Sequence, residues 1–253
     1  MTIKVDLNSD MGEGFGPWKM GDDAALLDVI SSANIACGFH AGDPDVMANT
    51  MRLAVQNDVG IGAHPGFADL KGFGRRRMKL GAEELQNLIA YQLGAARGIA
   101  ASVGTQVRHF KLHGALSNMC SEDAGLARLC YEAALRVDPD ITLMVLCETA
   151  QQSVAQDLGA NWAGEIFADR AYEDDATLVD RSKKGAVLDD ADAAAERILL
   201  MLQEGAIIAS SGKRIPAKID TVCLHGDTAE AVSMARALRA KLTSSGVEIA
   251  QFG

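Results

Sequence analysis

Seven short apolar runs, most of them separated by a stretch with helical spacing, limit this chain to few architectures. The runs are Ile3–Leu7, Asn34–Ala36, Val59–Gly62, Val107–Leu112, Ile141–Leu146, Trp162–Phe167 and Thr221–Leu224. Asp43 and Pro44 suit the cap and first turn of a helix whose Met47, Met51, Ala54 and Val55 share one face, with Gly60 just beyond its end. Leu85, Leu88, Ile89, Leu93, Ala96 and Ile99 have the same spacing. So do Leu126, Leu129, Cys130 and Ala133 after Ser121, and Val232, Ala235, Leu238 and Leu242 after Asp227. Such alternation predicts parallel strands joined by crossover helices. Residues 169–190 break the pattern, being charged and without helical period, and read as a long loop that is a candidate lid. With no linker and no internal repeat, a single domain over residues 1–253 is the expectation.

Length and composition agree. A chain of 253 residues suits an α/β barrel, which commonly runs to about 250 residues as one domain. Hydrophobic residues make up 48% but aromatics only 5%, so the core must be built mainly from Ala, Leu, Val and Ile. A formal charge of −10 argues against a nucleic-acid-binding face, which needs clustered cations to displace counterions. The one dense basic run, Arg75-Arg76-Arg77, reads as a solvated loop in preference to a phosphate-facing one. Five scattered cysteines without a Cys-x-x-Cys suit a reducing compartment. The N-terminus does not resemble a signal peptide, and no apolar run is long enough to span a bilayer. The expectation is a cytoplasmic protein with neither nucleic acid nor membrane as partner.

The chemistry-bearing residues fall at the ends of the strand candidates. Asp6, Asn8, Asp10 and Glu13 end or follow the first; His40 follows the second and His64 the third. Lys111 and His113 close the fourth, Glu148 follows the fifth, Asp169 and Arg170 the sixth, and His225 and Asp227 the seventh. In parallel α/β folds these ends converge on one face, where active sites form. Taken singly, each residue has an ordinary structural reading: Asp43 and Asp227 suit simple caps, and His109 reads as a plain strand or surface residue. His40, His64, His113 and His225 recur at equivalent places, each within two residues of Gly or Pro, and as a set they point to a site. That set supports two chemistries, general acid–base catalysis or a dispersed His/Asp metal site. There is no His-Glu-x-x-His and no P-loop; Gly12-Glu13-Gly14-Phe15-Gly16 is a poor dinucleotide fingerprint.

The same segments resemble a known family. They are Asp6-Leu7-Asn8-Ser9-Asp10-Met11-Gly12-Glu13, residues 35–44 around Cys37-Gly38-Phe39-His40, and Gly62-Ala63-His64-Pro65-Gly66-Phe67. Gly72-Phe73-Gly74-Arg75-Arg76, Lys111-Leu112-His113-Gly114-Ala115-Leu116, Phe167-Ala168-Asp169-Arg170 and His225-Gly226-Asp227-Thr228 continue the likeness. Together they resemble the LamB/YcsF family, from about residue 3 to about residue 250. The resemblance implies a (β/α) TIM-like barrel of the glycoside hydrolase/deacetylase type with seven strands. It also implies the A subunit of an ATP-dependent 5-oxoprolinase. Acting with subunits B and C, such an enzyme converts 5-oxoproline, ATP and water to L-glutamate, ADP and phosphate.

Matching motifs places Asp6, Asn8, Glu13, His40, His64, Lys111, His113, Asp169, Arg170, His225 and Asp227 in the site. The implied catalytic group is Glu13, His40, His64, His113, Asp169 and His225, with a His or Glu13 as the base for water. Asn8, Lys111, Arg170 and Asp227 are the implied substrate contacts, Lys111 and Arg170 facing a carboxylate or a phosphorylated intermediate. By analogy with deacetylase barrels, Asp6, His40 and His64 are the implied ligands of a divalent metal. The chain departs from the family pattern at Ser9, Met11, Leu112 and Ser117, where Cys, Leu, Pro and Tyr are more usual. Two other readings stay open: a stand-alone metal-dependent amidohydrolase or deacetylase, and a non-catalytic lactam-binding subunit.

Overall fold

The structure is a computed structural model that describes residues 2–188, 190–224 and 229–252. It opens with β1 (Lys4–Met11), a short α1 (Asp23–Leu27) and β2 (Ser32–Ala36). Then come α2 (Pro44–Gln56), β3 (Gly60–His64), α3 (Ala82–Ser102) and β4 (His109–Lys111). Two consecutive helices, α4 (Gly114–Glu122) and α5 (Ala124–Val137), lead to β5 (Thr142–Leu146), α6 (Ala150–Asp157) and β6 (Trp162–Phe167). After the long loop, α7 (Ala191–Glu204) precedes an antiparallel hairpin of β7 (Ala206–Ile208) and β8 (Arg214–Pro216). The chain ends with β9 (Thr221–Leu224), α8 (Ala229–Ser244) and β10 (Glu248–Ile249).

Strands β1 to β6 and β9 pair in parallel in that order, and β9 pairs back onto β1, so they close a seven-stranded barrel. β10 adds to the start of β1 from outside the ring. Alternation along β1 sorts its side chains by face. Val5, Leu7 and Met11 join Ile35, Ile61, Phe110, Val145, Ile166 and Val222 in a continuous apolar layer with helix residues such as Met51, Leu85, Ile89 and Leu93. Each of these fully buried side chains contributes roughly 1.5–3 kcal/mol. Asp6, Asn8 and Asp10 point the other way, into the lumen, where their hydrogen-bond partners come from other strands.

All seven anticipated strands are present, with one informative difference: β1 runs to Met11 instead of stopping at Leu7. Its second half carries Asn8 and Asp10, which break an apolar pattern but suit a polar lumen. Residues 169–188 form a loop, closed by isolated bridges Arg170–Val187 and Tyr172–Leu178. Asp43 caps α2, its carboxylate accepting from the Asp45 and Val46 amides. Among the described residues, no helix is long and apolar enough to cross a membrane.

Candidate active site

The lower part of the lumen is a polar plug. Asp6 accepts hydrogen bonds from the Ser31, Ser32 and Thr221 hydroxyls. Thr221 in turn accepts from Asn8 Nδ2 at 2.8 Å. Asn34 donates to Asn8 Oδ1 at 2.7 Å and to Asp10 Oδ1 at 2.9 Å, leaving its own carbonyl to accept from His109 Nε2 at 2.8 Å. His109 crosses the lumen only because position 62 is Gly; a Cβ there would lie 2.0 Å from its Nε2. Burial and the nearby Lys111 charge push the His109 imidazole down to about 3, so it is neutral here. The sequence expectation of an ordinary strand or surface residue misses this: His109 is a buried tie across the barrel.

Above the plug, Lys111 Nζ lies 2.9 Å from Asp10 Oδ1, 2.8 Å from Glu165 Oε1 and 3.1 Å from Cys223 Sγ. Burial would lower its ammonium, but Asp10, Cys223 and Glu165 together hold it well above the usual lysine range. Lys111 is therefore a fixed positive charge, not a nucleophile. Asp10 links it to the histidines, since Asp10 Oδ2 is 3.3 Å from His64 Nε2.

Three loops converge on the next layer. His64 ends β3, His113 caps α4 after β4, and His40 sits in the β2–α2 loop. A carbonyl can only accept, so the backbone decides both tautomers. His64 Nδ1–H donates to the Lys111 carbonyl at 2.9 Å, and His113 Nε2–H donates to the Phe73 carbonyl at 2.8 Å. The remaining lone pairs, His64 Nε2 and His113 Nδ1, face each other at 3.0 Å. His40 stacks on His113 with ring centroids 3.7 Å apart, and neither of its ring nitrogens has a hydrogen-bond partner among the described residues. Burial, with His113 and His64 beside it, keeps His40 well below the ordinary histidine range, and burial with His64 pushes His113 down to about 3. Phe73 carries φ +53, a left-handed conformation unusual for an aromatic residue, and this is the loop that aims its carbonyl at His113. Gly74 follows at φ +61, where a Cβ would come within 2.8 Å of both His40 and His113.

Glu13 completes the layer: one ligand-capable atom each from Glu13, His40, His64 and His113 lies within 4.8 Å of the others. Three imidazole nitrogens and a carboxylate are a donor set that fits a divalent metal. Asp6 is not part of it, because its carboxylate is already saturated by three hydroxyls in the plug. The set that the structure brings together thus has Glu13 and His113 where the sequence expectation has Asp6.

The layer floors a cavity of about 440 Å³ whose wall includes Arg75, Arg77, Arg170 and Arg181. Arg170 is only 4% exposed. Its guanidinium donates to the Val179 and Ala186 carbonyls and pairs with no carboxylate among the described residues. Burial and the like charges of Arg181 and Arg75 push it down to about 10, which leaves it cationic at neutral pH. Desolvating a buried cation is costly, and here the nearby Asp169 charge offsets only part of that cost, so an added anion would be favoured. The run read as a solvated loop is split by the fold: Arg75 and Arg77 line the cavity, while Arg76 pairs with Asp69. The long loop covers this wall through Thr177–Arg181.

Of the expected site residues, Glu13, His64, Lys111, His113 and Arg170 line the cavity, and His40 packs behind His113. Asn8 and Asp6 belong to the plug beneath. Asp169 is buried at the root of the loop, its carbonyl accepting from Leu188 N. His225 and Asp227 lie outside the described residues. The motif-matched set leaves out Asp10, although it stands among the acids at the end of the first strand candidate, and also Glu165 and Arg181. Asp10 was legible, since it shares the i, i+2 face of Asp6 and Asn8; Glu165 stands inside an apolar run and carried no such signal.

The chain matches the LamB/YcsF family over residues 5–253. It is 63% identical over 249 residues to the A subunit of 5-oxoprolinase from Ruegeria pomeroyi, covering 98% of each chain. The crystal structure of the lactam utilization protein from Thermus thermophilus superposes with a TM-score of 0.93 at 40% identity, covering 99% of this chain and 100% of that one. The fold alone is shared with the catalytic domain of a peptidoglycan N-acetylglucosamine deacetylase from Eubacterium rectale, with a TM-score of 0.54 at 10% identity over 100% of this chain and 90% of that one. A closed seven-stranded barrel of the deacetylase type, these motifs and the whole-chain match lead to one conclusion: this chain belongs to the LamB/YcsF family.

Proposed function

We propose that this protein is the A subunit of an ATP-dependent 5-oxoprolinase and opens the lactam ring of 5-oxo-L-proline to L-glutamate. It would act in the cytoplasm, as a single-domain chain, together with subunits B and C. The observation that carries this reading is the whole-chain likeness to proteins named for that activity, joined to a cavity that sets the imidazoles of His64 and His113 opposite the guanidiniums of Arg75 and Arg170.

In the net reaction, one water opens the ring and another is consumed in splitting ATP to ADP and phosphate. At the lactam, water oxygen bonds to the carbonyl carbon and the C–N bond breaks. The ring nitrogen gains a proton and becomes the free α-amine of glutamate. A lactam carbonyl is resonance-stabilised and the freed amine recloses readily, so coupling to ATP drives opening. The chain has no nucleotide-binding motif, and phosphoryl transfer is assigned to the partner subunits.

This chain's own groups suit the hydrolytic half. In the absence of an ion on these atoms, a buried imidazole or Glu13 can take the proton from water. Arg170, with Arg75 and Arg181 beside it, supplies charge-assisted donors to the substrate carboxylate or to oxyanions that develop on the opening ring. Lys111, locked between Asp10 and Glu165, holds a positive field beneath the reacting atoms. A divalent ion bound by the Glu13–histidine layer would lower the pKa of a coordinated water.

The test is reconstitution with candidate B and C subunits on 5-oxoproline, measuring glutamate against ADP. Glutamate formed only with all three proteins and ATP is the expected result. None formed, with partners of verified activity, would overturn the reading. Glutamate from this chain alone without ATP would instead make it a free-standing amidohydrolase.

A further inference from the structure

We infer that Glu13, His40, His64 and His113 form a binding site for one divalent transition-metal ion of the zinc class. The starting point is the contact between His64 Nε2 and His113 Nδ1, which lie 3.0 Å apart. Both rings spend their N–H on a backbone carbonyl, so two lone pairs point at each other, and Asp10 Oδ2 adds a third acceptor 3.3 Å from His64 Nε2. Something positive belongs between them. A single shared proton would satisfy one pair of atoms, but this layer offers more. His40 is fully buried with two ring nitrogens that no described residue contacts by a hydrogen bond, and Glu13 brings a carboxylate oxygen into the same 4.8 Å cluster. Four donors around one point call for an ion.

The surroundings are built to hold these rings. In metal sites the second imidazole nitrogen usually donates to a carbonyl or carboxylate, which fixes the tautomer and ring orientation. The Lys111 and Phe73 carbonyls do this for His64 and His113, and Phe73 adopts φ +53 to do so. Phe73 also meets both His40 and His113 edge-on, at 5.9 and 5.2 Å. The absence of a Cβ at Gly66 and Gly74 lets the backbone close on His40, since one there would lie 2.9 and 2.8 Å from its atoms. Three imidazoles and one carboxylate favour Zn²⁺, Co²⁺ or Ni²⁺ over Mg²⁺, which prefers an all-oxygen shell with several waters.

The site does not depend on the lactam-opening reading, because it is measured on the purified full-length chain alone. The chain is stripped with a chelator and titrated with Co²⁺ and Zn²⁺, following metal content, the visible absorption of bound Co²⁺ and thermal stability. One equivalent per chain is expected, with Co²⁺ bands of a four- or five-coordinate ion and a melting temperature that rises with metal. His113→Asn and Glu13→Gln should each weaken Co²⁺ binding about tenfold to a hundredfold or more, the range that even outer-shell changes reach. Asp6→Asn, in the plug, should leave the stoichiometry at one. Uptake far below one equivalent would assign the His64–His113 contact to a shared proton and overturn the site. So would affinity unmoved by Glu13→Gln and His113→Asn, both checked for folding by circular dichroism. Metal binding without glutamate formation by the complex would leave this site standing and remove the lactam reading; the reverse would do the opposite.

Discussion

The two ends of the barrel lumen are both buried and both polar, yet they are built on opposite principles. At the lower end, Asp6, Asn8, Asn34, Thr221 and His109 are joined by side-chain hydrogen bonds to one another, to Ser31 and Ser32, and upward to Asp10 and Lys111. At the upper end, among the described residues, His40 has no hydrogen-bond partner, His64 and His113 turn ring nitrogens toward each other, and the Arg170 guanidinium donates to backbone carbonyls. A satisfied polar network makes a rigid floor, while groups left short of partners are available to a ligand. Buried polarity alone therefore does not mark the site; unmet bonding capacity does.

The contrast is sharpest in its largest expected effect. His113→Ala should cut glutamate formation by the reconstituted complex, per folded molecule, about a hundredfold or more, the scale of general-base catalysis. A change of less than about tenfold would move His113 out of the chemistry. In the plug the effect should fall on stability. Thr221→Val removes the hydroxyl shared by Asp6 and Asn8 and should cost about 1–3 kcal/mol in urea unfolding, with turnover per folded molecule unchanged. If turnover fell while stability held, the floor would be part of the site.

Arg170 tests the cavity wall. Arg170→Met should raise the KM for 5-oxoproline about tenfold or more, the worth of a charge-assisted hydrogen bond, and Arg170→Lys should recover only part of it. An unchanged KM with reduced kcat would assign Arg170 to the transition state alone. The smallest effect is electrostatic. His109 is pushed down to about 3, so between that value and the unfolded value near about 6.5 the unfolded chain binds a proton that the folded chain does not. Its contribution is neutral above about pH 6.5, and stability falls as pH drops through the window, by at most about 1.4 kcal/mol per unit. His109→Gln should flatten the slope of unfolding free energy between about pH 6 and about pH 4.5, inside that window. An unaltered slope would mean that His109 is not the proton acceptor.

Much of this was legible beforehand. All seven strand positions, four of the longer helices (α2, α3, α5 and α8) and the cap at Asp43 follow from apolar periodicity and local capping chemistry, which act over a few residues. Helices α1, α4, α6 and α7 do not emerge from the periodicity, nor does the β7–β8 hairpin, whose strands are three residues each and too short for a periodic signal. The gathering of His40, His64 and His113 was also expected, because parallel strands bring their C-terminal ends to one face.

What the sequence by itself determined was an alternating α/β chain whose histidines and acids cluster at strand ends, because those signals are local and the topology rule is general. Only the tertiary structure decided which polar residues hold the barrel shut and which face the cavity. Asp6, near the start of β1, and Glu13, just past its end, are both acids of one short segment, and no local pattern tells their roles apart. Cross-strand neighbours do: Ser31, Ser32 and Thr221 close around Asp6, while the loops bearing His40 and His113 meet Glu13. Likewise, the carbonyls of Phe73 and Lys111 set the tautomers of His113 and His64 from 40 and 47 positions away in the chain, a relation that exists only once the barrel has closed.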